Sequence, residues 1–454
     1  MAKKDWEKLA GEKGEKVSSS KFQRVFKLGS VGAGVAASSL AGKLRNMVAG
    51  GSESEEELLS ATYRKNADRM ADVLGQLKGA SMKVGQMLSA DPESIPPEFA
   101  EGLARLQRDA PPMTWNTVKE QIETALDRPM EAVFSQFDPD PVGAASIGQV
   151  HRARLVTGED VAVKIQYPGV RDALGSDLDT LKSMLVWGRP FVARDQLDGY
   201  FAEIRDVLMQ EADYLQEAEQ LARFGEHLAD RDDVVVPRPF PEWTRENVLV
   251  MEFMEGRKLD DALETMEPDQ RNAMLERWLA IFVWMFHELF ALHADPHPGN
   301  FLIDDDNRLV LLDFGCVKSF DPKFADGMLE IVVATWDDDP YRALDVYEEL
   351  NFGGESFDPA KIDVGLIRQY HRIVLAPFLA EGPFQYGGWQ PALEGKKFML
   401  KNPSFLALTP PRESLMYFRL LSGIKGLLGK FEASVNVVPL AKACAVRRGI
   451  ISEA

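Results

Sequence analysis

The sequence predicts an α+β protein of two lobes, in which a small β-containing lobe precedes a large helical lobe and a helical extension precedes both. Alternating apolar residues predict strands within residues 150–155, 161–165 and 248–253. Helical periodicity dominates beyond Asp260. The helical region is interrupted by an ordered set of polar residues, His293, Asp295, Asn300 and Asp313.

Composition narrows the functional classes. The chain has 454 residues, enough for two or more domains with filled cores, and its 45% apolar and 27% charged content is typical of a globular protein. The net charge of −19 argues against nucleic acid as a general partner, because a phosphate backbone would be repelled. Cys316 and Cys444 are the two cysteines, so we expect no disulfide framework, a reducing compartment and a cytoplasmic protein.

The sequence is expected to form four segments. Residues 1–50 form a basic, flexible tail with ten Lys or Arg against four Asp or Glu, so the tail carries +6 and the remainder −25. Residues 51–130 form the helical extension, residues 131–255 the smaller lobe and residues 256–454 the larger lobe. The segment 252–256 is the expected hinge between the lobes.

No stretch of the sequence has the length and hydrophobicity of a bilayer-spanning helix. The most apolar candidate, Trp278 to Phe286, is followed by His287 and Glu288, so we expect a buried helix there. The basic tail can attract the chain reversibly to an anionic membrane surface, which gives a peripheral membrane location as a second expectation. A solubilising tail or a linker is the alternative for this segment.

The run from His293 to Gly315 carries the most specific pattern in the chain. Asp295 precedes Asn300 by five residues and Asp313 by 18, and Asp313 opens an Asp-Phe-Gly tripeptide. Protein kinases use this order because one loop presents a carboxylate to the attacking hydroxyl and an amide to a metal, and a hairpin returns a second carboxylate. We therefore predict a bilobal protein-kinase-like fold, with Asp295 as the catalytic carboxylate and Asn300 and Asp313 as ligands for Mg²⁺ or Mn²⁺.

Residues 143–150, Gly-Ala-Ala-Ser-Ile-Gly-Gln-Val, correspond to the glycine-rich loop that folds over nucleotide phosphates in kinases. Ala145 stands at the position of the second glycine, where its methyl group limits the approach of backbone N–H groups to an anion. A tight turn before a strand is the alternative for this segment taken alone. The residues predicted to contact the nucleotide are Gly143, Ala144, Ala145, Ser146, Gly148 and Val150, with Glu252 and Phe253 at the hinge.

Lys164 lies in an apolar, alternating run, Val161 to Ile165, where a lysine requires a partner if it is buried. Glu211 and Glu217, in a helical pattern, are the candidate partners. Because they are six residues apart, they would lie on different faces of one helix, and we expect only one of them to pair with Lys164. Taken alone, this run is more often a solvated helix face.

A further motif lies in the predicted extension, where Lys83, Gly85 and Gln86 interrupt an apolar helical stretch. The loop at 143–150, the run Glu211-Ala212-Asp213-Tyr214 and the run His297-Pro298-Gly299-Asn300 complete a specific set of motifs. With them, the chain resembles the UbiB/ADCK family of atypical, protein-kinase-like proteins linked to ubiquinone (coenzyme Q) biosynthesis. The resemblance extends from about residue 55 to about residue 430.

The resemblance implies a role for each of these residues. Lys164 would bind the phosphates of ATP or ADP and pair with Glu217, and both would act with Asp295 in catalysis. The extension would cover the site that binds peptides in protein kinases, with its lysine pointing inward towards two acidic residues. The residues implied to control this pocket are Lys83, Gly85, Gln86, Glu211 and Asp213.

Two features of the sequence depart from the family pattern. The family commonly has Ala where Gly143 stands, which bears on the nucleotide preference. Some bacterial relatives carry C-terminal membrane helices, whereas Ile424–Ala454 contains too many charges to be one.

The resemblance implies an ATPase or a small-molecule kinase that supports quinone or related lipid metabolism. Its expected partners are a nucleotide, a lipophilic quinone precursor, quinone-biosynthesis proteins and an anionic membrane surface. A peptide kinase is disfavoured, because no Ala-Pro-Glu tripeptide follows Gly315 and Ala294 replaces the usual arginine. A protein kinase and a catalytically weak nucleotide-binding scaffold or lipid chaperone are the alternatives.

Overall fold

The computed structural model of the chain describes residues 112–452, apart from residues 146, 176–177, 180–201, 203–204, 294, 355–357 and 412–413. The predicted basic tail, residues 1–50, and the motif residues Lys83, Gly85, Gln86 and Ser146 lie outside the described residues. The chain divides into two compact units. The first contains the described residues up to Glu255 together with Leu312–Gly315, and the second contains Gly256–Leu311 and the residues from Cys316 onward.

An antiparallel sheet forms the centre of the first unit. The elements of this unit, in chain order, are helix α1 (Trp115–Leu126), strands β1 (Phe134–Phe137), β2 (Gly143–Ala145), β3 (Gly148–Leu155) and β4 (Asp160–Gln166), helix α2 (Tyr214–His227), and strands β5 (Val234–Val235) and β6 (Val248–Glu252). Strands β1, β3, β4 and β6 are neighbours in this order, and β2 pairs with β3. The strands predicted at 150–155, 161–165 and 248–253 are confirmed as β3, β4 and β6.

Local sequence explains the elements around this sheet. β4 is buried along almost its whole length, whereas β3 alternates between buried and partly exposed residues, so β4 lies deeper in the sheet. Helix α1 begins where the Thr114 hydroxyl accepts a hydrogen bond from the Thr117 amide. It buries Val118 and Ile122, one helical turn apart, and packs against β4 and β6.

Gly148, the first residue of β3, is required by the sheet itself. A Cβ atom at this position would lie 2.1 Å from the carbonyl oxygen of Ile165 on β4. Any side chain would therefore force the two strands apart. Close packing of strands accounts for this glycine, whatever its part in nucleotide binding.

Helices dominate the second unit. Its elements in chain order are β7 (Arg257–Lys258), α3 (Leu259–Thr265), α4 (Pro268–His287), β8 (Ala291–His293), β9 (Phe301–Ile303), β10 (Leu309–Leu311), β11 (Val317–Ser319), α5 (Pro322–Trp336), α6 (Pro340–Glu349), α7 (Val364–Val374), β12 (Phe384–Gln385), α8 (Pro391–Lys401), α9 (Leu415–Lys430), β13 (Ser434–Val435) and α10 (Val438–Arg447). The predicted hairpin is formed by β9 and β10. The pairs β8–β11 and β12–β13 were not predicted, because two- and three-residue strands are too short to show a period in the sequence.

Helix α4 is the centre of the second unit. Trp278 is fully buried and meets the rings of Phe282 and Phe301 edge-on or nearly so, at centroid distances of 4.8 and 5.9 Å. The buried helix predicted at Trp278 to Phe286 is therefore confirmed. Among the described residues, no helix combines the length and the apolar character that crossing a membrane requires.

Helices α5, α6 and α7 follow one another in contact and share a buried histidine. His371 on α7 is hydrogen bonded through Nδ1 to the hydroxyl of Thr335 on α5, at 2.7 Å, and through Nε2 to the hydroxyl of Tyr347 on α6, at 2.9 Å. Burial lowers the pKa of His371 from 6.5 to about 4. A neutral imidazole thus connects three helices.

Candidate functional site

The first unit contains the predicted ion pair. Lys164 on β4 places its Nζ atom 2.8 Å from Oε1 and 2.9 Å from Oε2 of Glu217 on α2. Both side chains are almost completely buried, at 7% and 0% exposure. Of the two candidate carboxylates, Glu217 is the one that pairs with Lys164, as the resemblance implied.

Asp313 completes a three-residue cluster with this pair. Its Oδ2 atom lies 3.2 Å from Nζ of Lys164, and its Oδ1 atom accepts a hydrogen bond from the backbone amide of Gly315 at 2.9 Å. The Asp313 side chain is 30% exposed, unlike its two neighbours. One carboxylate of the cluster is therefore accessible from solvent while the other is enclosed.

The electrostatic balance of the cluster favours a charged lysine. Burial lowers the pKa of Lys164, but the carboxylates of Asp313 and Glu217 outweigh burial and raise the pKa well above its ordinary value. Burial raises the pKa of Glu217 to about 7, against the lowering effect of Lys164. Lys164 is thus held as an ammonium ion. Solvent stabilises the neighbouring carboxylate of Asp313, whereas burial disfavours the charged form of Glu217.

Tyr214, a residue that was not predicted to belong to the site, lies against one side of this cluster. Its ring centroid lies 5.1 Å from Nζ of Lys164, within the range of a cation–π interaction. The side chain is fully buried, and its hydroxyl has no hydrogen-bond partner among the described residues. Its spacing of three residues before Glu217 at the start of α2 was the available signal, since residues three apart share a helix face.

Glu211 and Asp213 lie at a break between two helices. The helical segment 205–211 ends at Glu211, and Asp213 is the N-cap of α2, accepting hydrogen bonds from the amides of Leu215 and Gln216. The prediction that Glu211 and Glu217 lie on different faces of one helix is therefore wrong, because the helix is interrupted between them. The capping preference of aspartate was the signal for this break.

Both glutamates approach the same glycine. A Cβ atom at Gly315 would lie 3.4 Å from Oε2 of Glu217 and 3.5 Å from Cγ of Glu211. Glu211 is 5% exposed and Glu217 is 1% exposed. The predicted approach of Lys83 to Glu211 and Asp213 stays a prediction, because Lys83 lies outside the described residues.

The segment 143–150, predicted to correspond to the glycine-rich loop of kinases, contains the paired strands of a β-hairpin. Strands β2 and β3 pair with Gly143 opposite Val150, Ala144 opposite Gln149 and Ala145 opposite Gly148. A Cβ atom at Gly143 would meet nothing within 4 Å, so the alanine that the family commonly carries there would fit. Phosphate binding by this hairpin stays a prediction.

A buried polar chain holds this hairpin to the segment before α1. Oε1 of Gln149 accepts a hydrogen bond from the Met113 amide at 2.7 Å, and Nε2 of Gln149 lies 2.6 Å from Nε2 of His151. Nδ1 of His151 lies 2.8 Å from the carbonyl oxygen of Asp138, which assigns the ring proton to Nδ1. Burial lowers the pKa of His151, which keeps the ring neutral. No motif in the sequence predicted these hydrogen bonds.

Of the two predicted hinge residues, Glu252 is the last residue of strand β6 and Phe253 follows the strand. The Glu252 amide donates to the carbonyl oxygen of Arg238, and the Phe253 amide donates to that of Asp160 at 3.1 Å. The guanidinium of Arg152 lies over the Phe253 ring, 4.4 Å from its centroid. The backbone amides of both residues are therefore engaged within the first unit, and nucleotide contact by Glu252 and Phe253 stays a prediction.

The second unit contains the predicted catalytic loop, which follows β8. The Asp295 amide donates to Nδ1 of His293 at 3.1 Å, and Oδ1 of Asp295 accepts from the His297 amide at 3.2 Å. Nδ1 of His297 accepts from the Gly299 amide at 3.0 Å. The Asn300 amide group donates through Nδ2 to the carbonyl oxygen of Asp295 at 3.2 Å. Asp295 and Asn300 are thus fixed within one loop.

Asn300 and Asp313, each taken by itself, offer an oxygen atom of the type that a hard metal ion binds. Nδ2 of Asn300 is used within the loop, so its Oδ1 atom is the group left for a ligand, and Asp313 offers a partly exposed carboxylate. Carboxylate and amide oxygens are the ligands that Mg²⁺ prefers. The metal-binding roles of Asn300 and Asp313 stay predictions.

Comparison with known proteins identifies the family. Residues 105–347 match the ABC1 atypical kinase-like domain. Atypical kinase COQ8B, mitochondrial, of Rattus norvegicus is 31% identical over 422 residues, covering 90% of this chain and 77% of that protein. Atypical kinase coq-8, mitochondrial, of Caenorhabditis elegans is 31% identical over 384 residues, covering 82% of this chain, and this chain spans only 50% of its length.

A solved structure shares the fold. Rv3197 of Mycobacterium tuberculosis, solved as a complex with erythromycin, superposes with a TM-score of 0.58 at 27% identity, covering 86% of this chain and 98% of that one. The predicted kinase-like fold is confirmed. Because the domain match covers more than half of the chain and the rat relative exceeds 30% identity over most of its own length, this chain belongs to the ABC1, or UbiB/ADCK, family of atypical kinase-like proteins.

Proposed function

We propose that this chain is an ATP-dependent phosphotransferase or ATPase that supports quinone or related lipid metabolism. One observation carries the proposal: the buried ammonium of Lys164 lies 2.8 Å from Glu217 and 3.2 Å from the partly exposed carboxylate of Asp313. A lysine held charged in this way is suited to bind a phosphate group as a point charge.

Each residue of the cluster has a distinct part in this proposal. Glu217 orients Lys164, and Tyr214 limits its movement on the ring side. Asp313 is assigned a metal-binding role through its carboxylate, and Asn300 is assigned one through its amide oxygen. Bound Mg²⁺ would neutralise part of the phosphate charge. No cluster of three or more His, Cys, Asp or Glu side chains in the described part of the chain could hold a metal, so nucleotide phosphates would complete the coordination in this proposal.

In this proposal Asp295 accepts a proton from the attacking hydroxyl group or water. Its loop is held by hydrogen bonds to its own backbone, which keeps the carboxylate in a defined position. The expected acceptor is a small lipophilic molecule or water, because the sequence lacks the Ala-Pro-Glu tripeptide and the loop arginine of peptide kinases.

The names of the relatives support the quinone assignment. COQ8 of Saccharomyces cerevisiae, named an atypical kinase and mitochondrial, is 33% identical over 324 residues, and this chain spans 64% of its length. The proposed partners are accordingly a quinone precursor, quinone-biosynthesis proteins and an anionic membrane surface. The cytoplasmic location and the membrane contact of the basic tail stay predictions.

Two other functions have some support. The erythromycin complex of Rv3197 favours a nucleotide-dependent scaffold that binds a small molecule without turnover. A relative from Dictyostelium discoideum, 32% identical over 340 residues, is named a probable serine/threonine-protein kinase, which favours a protein kinase. The three functions differ in their products: free phosphate or a phosphorylated small molecule, no product, or a phosphorylated protein.

Measurement of ATP consumption by the full chain tests the proposal. Mg²⁺-ATP is supplied with and without phosphatidylglycerol vesicles and a quinone-precursor-like phenol, and phosphate release and the phosphorylation of the phenol and of protein are followed. We expect turnover that rises with lipid or phenol. Protein phosphorylation alone would establish the protein kinase, and binding without turnover would establish the scaffold.

Asp313→Asn is expected to abolish the Mg²⁺-dependent thermal stabilisation of the chain by ATP, because the partly exposed carboxylate of the cluster is lost. Asp305→Asn is the matched control, since Asp305 is an exposed aspartate in the turn of the hairpin that precedes Asp313 in the sequence. An unchanged thermal shift in Asp313→Asn would contradict the assignment of Asp313 to the metal.

A further inference from the structure

Helix α8, Pro391–Lys401, presents apolar residues to solvent. Leu400 is 70% exposed and Leu393 is 39% exposed. The two leucines are seven residues apart, which is close to two helical turns, so they lie on one face of the helix. This is the reverse of the usual pattern for a surface helix, in which the leucines face the core.

The opposite face of α8 anchors the helix to its unit. Phe398 is buried and packs against the rings of Tyr370 and Phe405, with centroid distances of 5.8 and 5.3 Å. A Cβ atom at Gly395 would lie 3.4 Å from the Tyr370 ring, so the two helices are in close contact there. The core-facing side of α8 is therefore occupied, and the leucines are turned away from it.

Lysines flank the exposed leucines. On a helix with 3.6 residues per turn, Lys396 lies on one side of the line from Leu393 to Leu400, and Lys397 lies on the other. Lys401 extends the second side, and all three lysines are exposed. Among the residues that the structure describes, none of these lysines forms an ion pair.

The charge of this face is opposite to that of the whole chain. Helix α8 has three lysines and one acidic residue, Glu394, in a protein whose net charge is −19. A cationic patch on an acidic protein attracts an anionic partner locally while the remainder of the surface repels it. The exposed leucines between the lysines require that this partner also offer an apolar phase.

We propose that the exposed face of α8, formed by Leu393, Lys396, Lys397, Leu400 and Lys401, binds the surface of an anionic lipid bilayer. Leucine side chains would enter the boundary between headgroups and acyl chains, and lysine stems would lie along them with their ammonium groups among the phosphates. This contact is separate from the basic tail and does not depend on the proposed nucleotide chemistry. It places the second unit directly on the membrane.

Vesicle sedimentation with the full chain tests the proposal. Two variants are compared on vesicles of phosphatidylcholine alone or mixed with phosphatidylglycerol: Leu393→Ser with Leu400→Ser, and the charge variant Lys396→Gln, Lys397→Gln and Lys401→Gln. Each lysine near an anionic surface contributes about fivefold in affinity, so we expect the charge variant, which lacks three lysines, to lose about a hundredfold at low salt. The leucine variant is expected to lose binding at low and high salt alike.

Matched variants remove the same groups elsewhere. Lys258→Gln, Lys323→Gln and Lys361→Gln change the net charge equally, and Val156→Ser with Tyr341→Ser removes two other exposed apolar side chains. Both controls are expected to bind as the parent does. Equal losses in the controls and the α8 variants would overturn the proposal, and so would unchanged binding in the α8 variants, which would assign the membrane contact to the basic tail.

A local probe separates the two contacts further. An environment-sensitive fluorophore on Leu400→Cys is expected to shift to shorter wavelength with anionic vesicles only, whereas the same probe on Tyr341→Cys is expected to stay unchanged. Circular dichroism of each variant checks that it is folded. A shift at position 400 without vesicles, together with a doubled mass in light scattering, would show that a second copy covers this face and would overturn the proposal.

Discussion

In the first unit the candidate catalytic groups bind one another, side chain to side chain, whereas in the second unit they bind the backbone of their own loop. Lys164, Glu217 and Asp313 form a cluster in which two members are almost completely buried. Asp295 and Asn300 lie in a loop whose hydrogen bonds, 3.2 Å in length, are exposed or only partly buried. The first arrangement depends on charge balance, and the second depends on loop conformation.

This difference predicts different responses to substitution. Removing one member of a buried ion pair leaves a charge in a poorly solvated position, which costs about 3–5 kcal/mol. Removing one hydrogen bond between a side chain and a backbone group costs about 1 kcal/mol. The stability of the first unit is therefore more sensitive to its candidate catalytic residues than that of the second.

Glu217→Gln is expected to have the largest effect. It leaves the buried ammonium of Lys164 with Asp313 as its remaining carboxylate in the cluster, and we expect a loss of about 3 kcal/mol in the free energy of unfolding. Urea denaturation measures this loss. Glu219→Gln, an exposed glutamate on the same helix, is the control and is expected to change stability by less than about 0.5 kcal/mol.

A double variant separates charge from packing at this site. Lys164→Met combined with Glu217→Leu removes both charges and keeps the volume similar, so we expect most of the lost stability to return while nucleotide binding is absent. A double variant as unstable as Glu217→Gln would contradict the view that unbalanced charge is the cause.

Acid is expected to weaken the second unit through His371. Its pKa is lowered from 6.5 in the unfolded chain to about 4 in the fold, so its contribution to stability is complete above pH 6.5 and is lost as the pH falls from 6.5 towards 4. A shift of this size corresponds to about 3 kcal/mol. We expect His371→Gln to flatten the dependence of stability on pH in that window, measured by urea denaturation.

His287 adds to the same acid sensitivity. Burial lowers its pKa to about 4, with Asp326 opposing and Arg447 and Arg448 assisting the change. His371→Gln should therefore leave a smaller slope, and adding His287→Gln should reduce that slope further. An unchanged slope in both variants would show that neither imidazole is buried in the neutral form.

Tyr214 offers a third, smaller test of the first unit. Tyr214→Leu removes the ring beside Lys164, and we expect a loss of about 2 kcal/mol together with weaker nucleotide binding. Tyr214→Phe keeps the ring and removes a buried hydroxyl that has no partner among the described residues, so we expect stability to be unchanged or higher. Calorimetry of nucleotide binding distinguishes the ring from the hydroxyl: equal affinities in the two variants would contradict the role of the ring.

Sequence reasoning was sufficient where one short motif determines one local feature. The alternation around Lys164 predicted β4, and the need of a buried lysine for a partner predicted an ion pair that the structure contains. It failed between Glu211 and Glu217, because helical periodicity extends smoothly across a break that a single capping residue, Asp213, creates. Propensity alone does not decide whether an aspartate caps a helix or continues it.

The buried hydrogen bonds of Gln149 and His151 could not be predicted from the sequence, for a different reason. Gln149 bonds the backbone of Met113, 36 residues away, and His151 bonds the backbone of Asp138, 13 residues away. Every residue has the same backbone atoms, so the sequence does not indicate which of them a side chain will bond. The same holds for the catalytic loop, where the donors are the amides of His297 and Gly299. Residue identities therefore predicted the ion pair of Lys164 and Glu217, but not the hydrogen bonds to backbone atoms.

The smallest expected effect is that of Asn300→Ala, in the loop of the second unit. The substitution removes the hydrogen bond from Nδ2 to the carbonyl oxygen of Asp295, so we expect a loss of about 1 kcal/mol and faster hydrogen exchange at the amides of His297 and Gly299. Asn436→Ala is the matched control, because Asn436 also bonds a backbone group, the Val438 amide, in the same unit. The control should lose similar stability and leave exchange at His297 and Gly299 unchanged. If Asn300→Ala instead destabilises the chain as much as Glu217→Gln does, the loop is part of a charge-balanced network and the contrast between the two units is wrong.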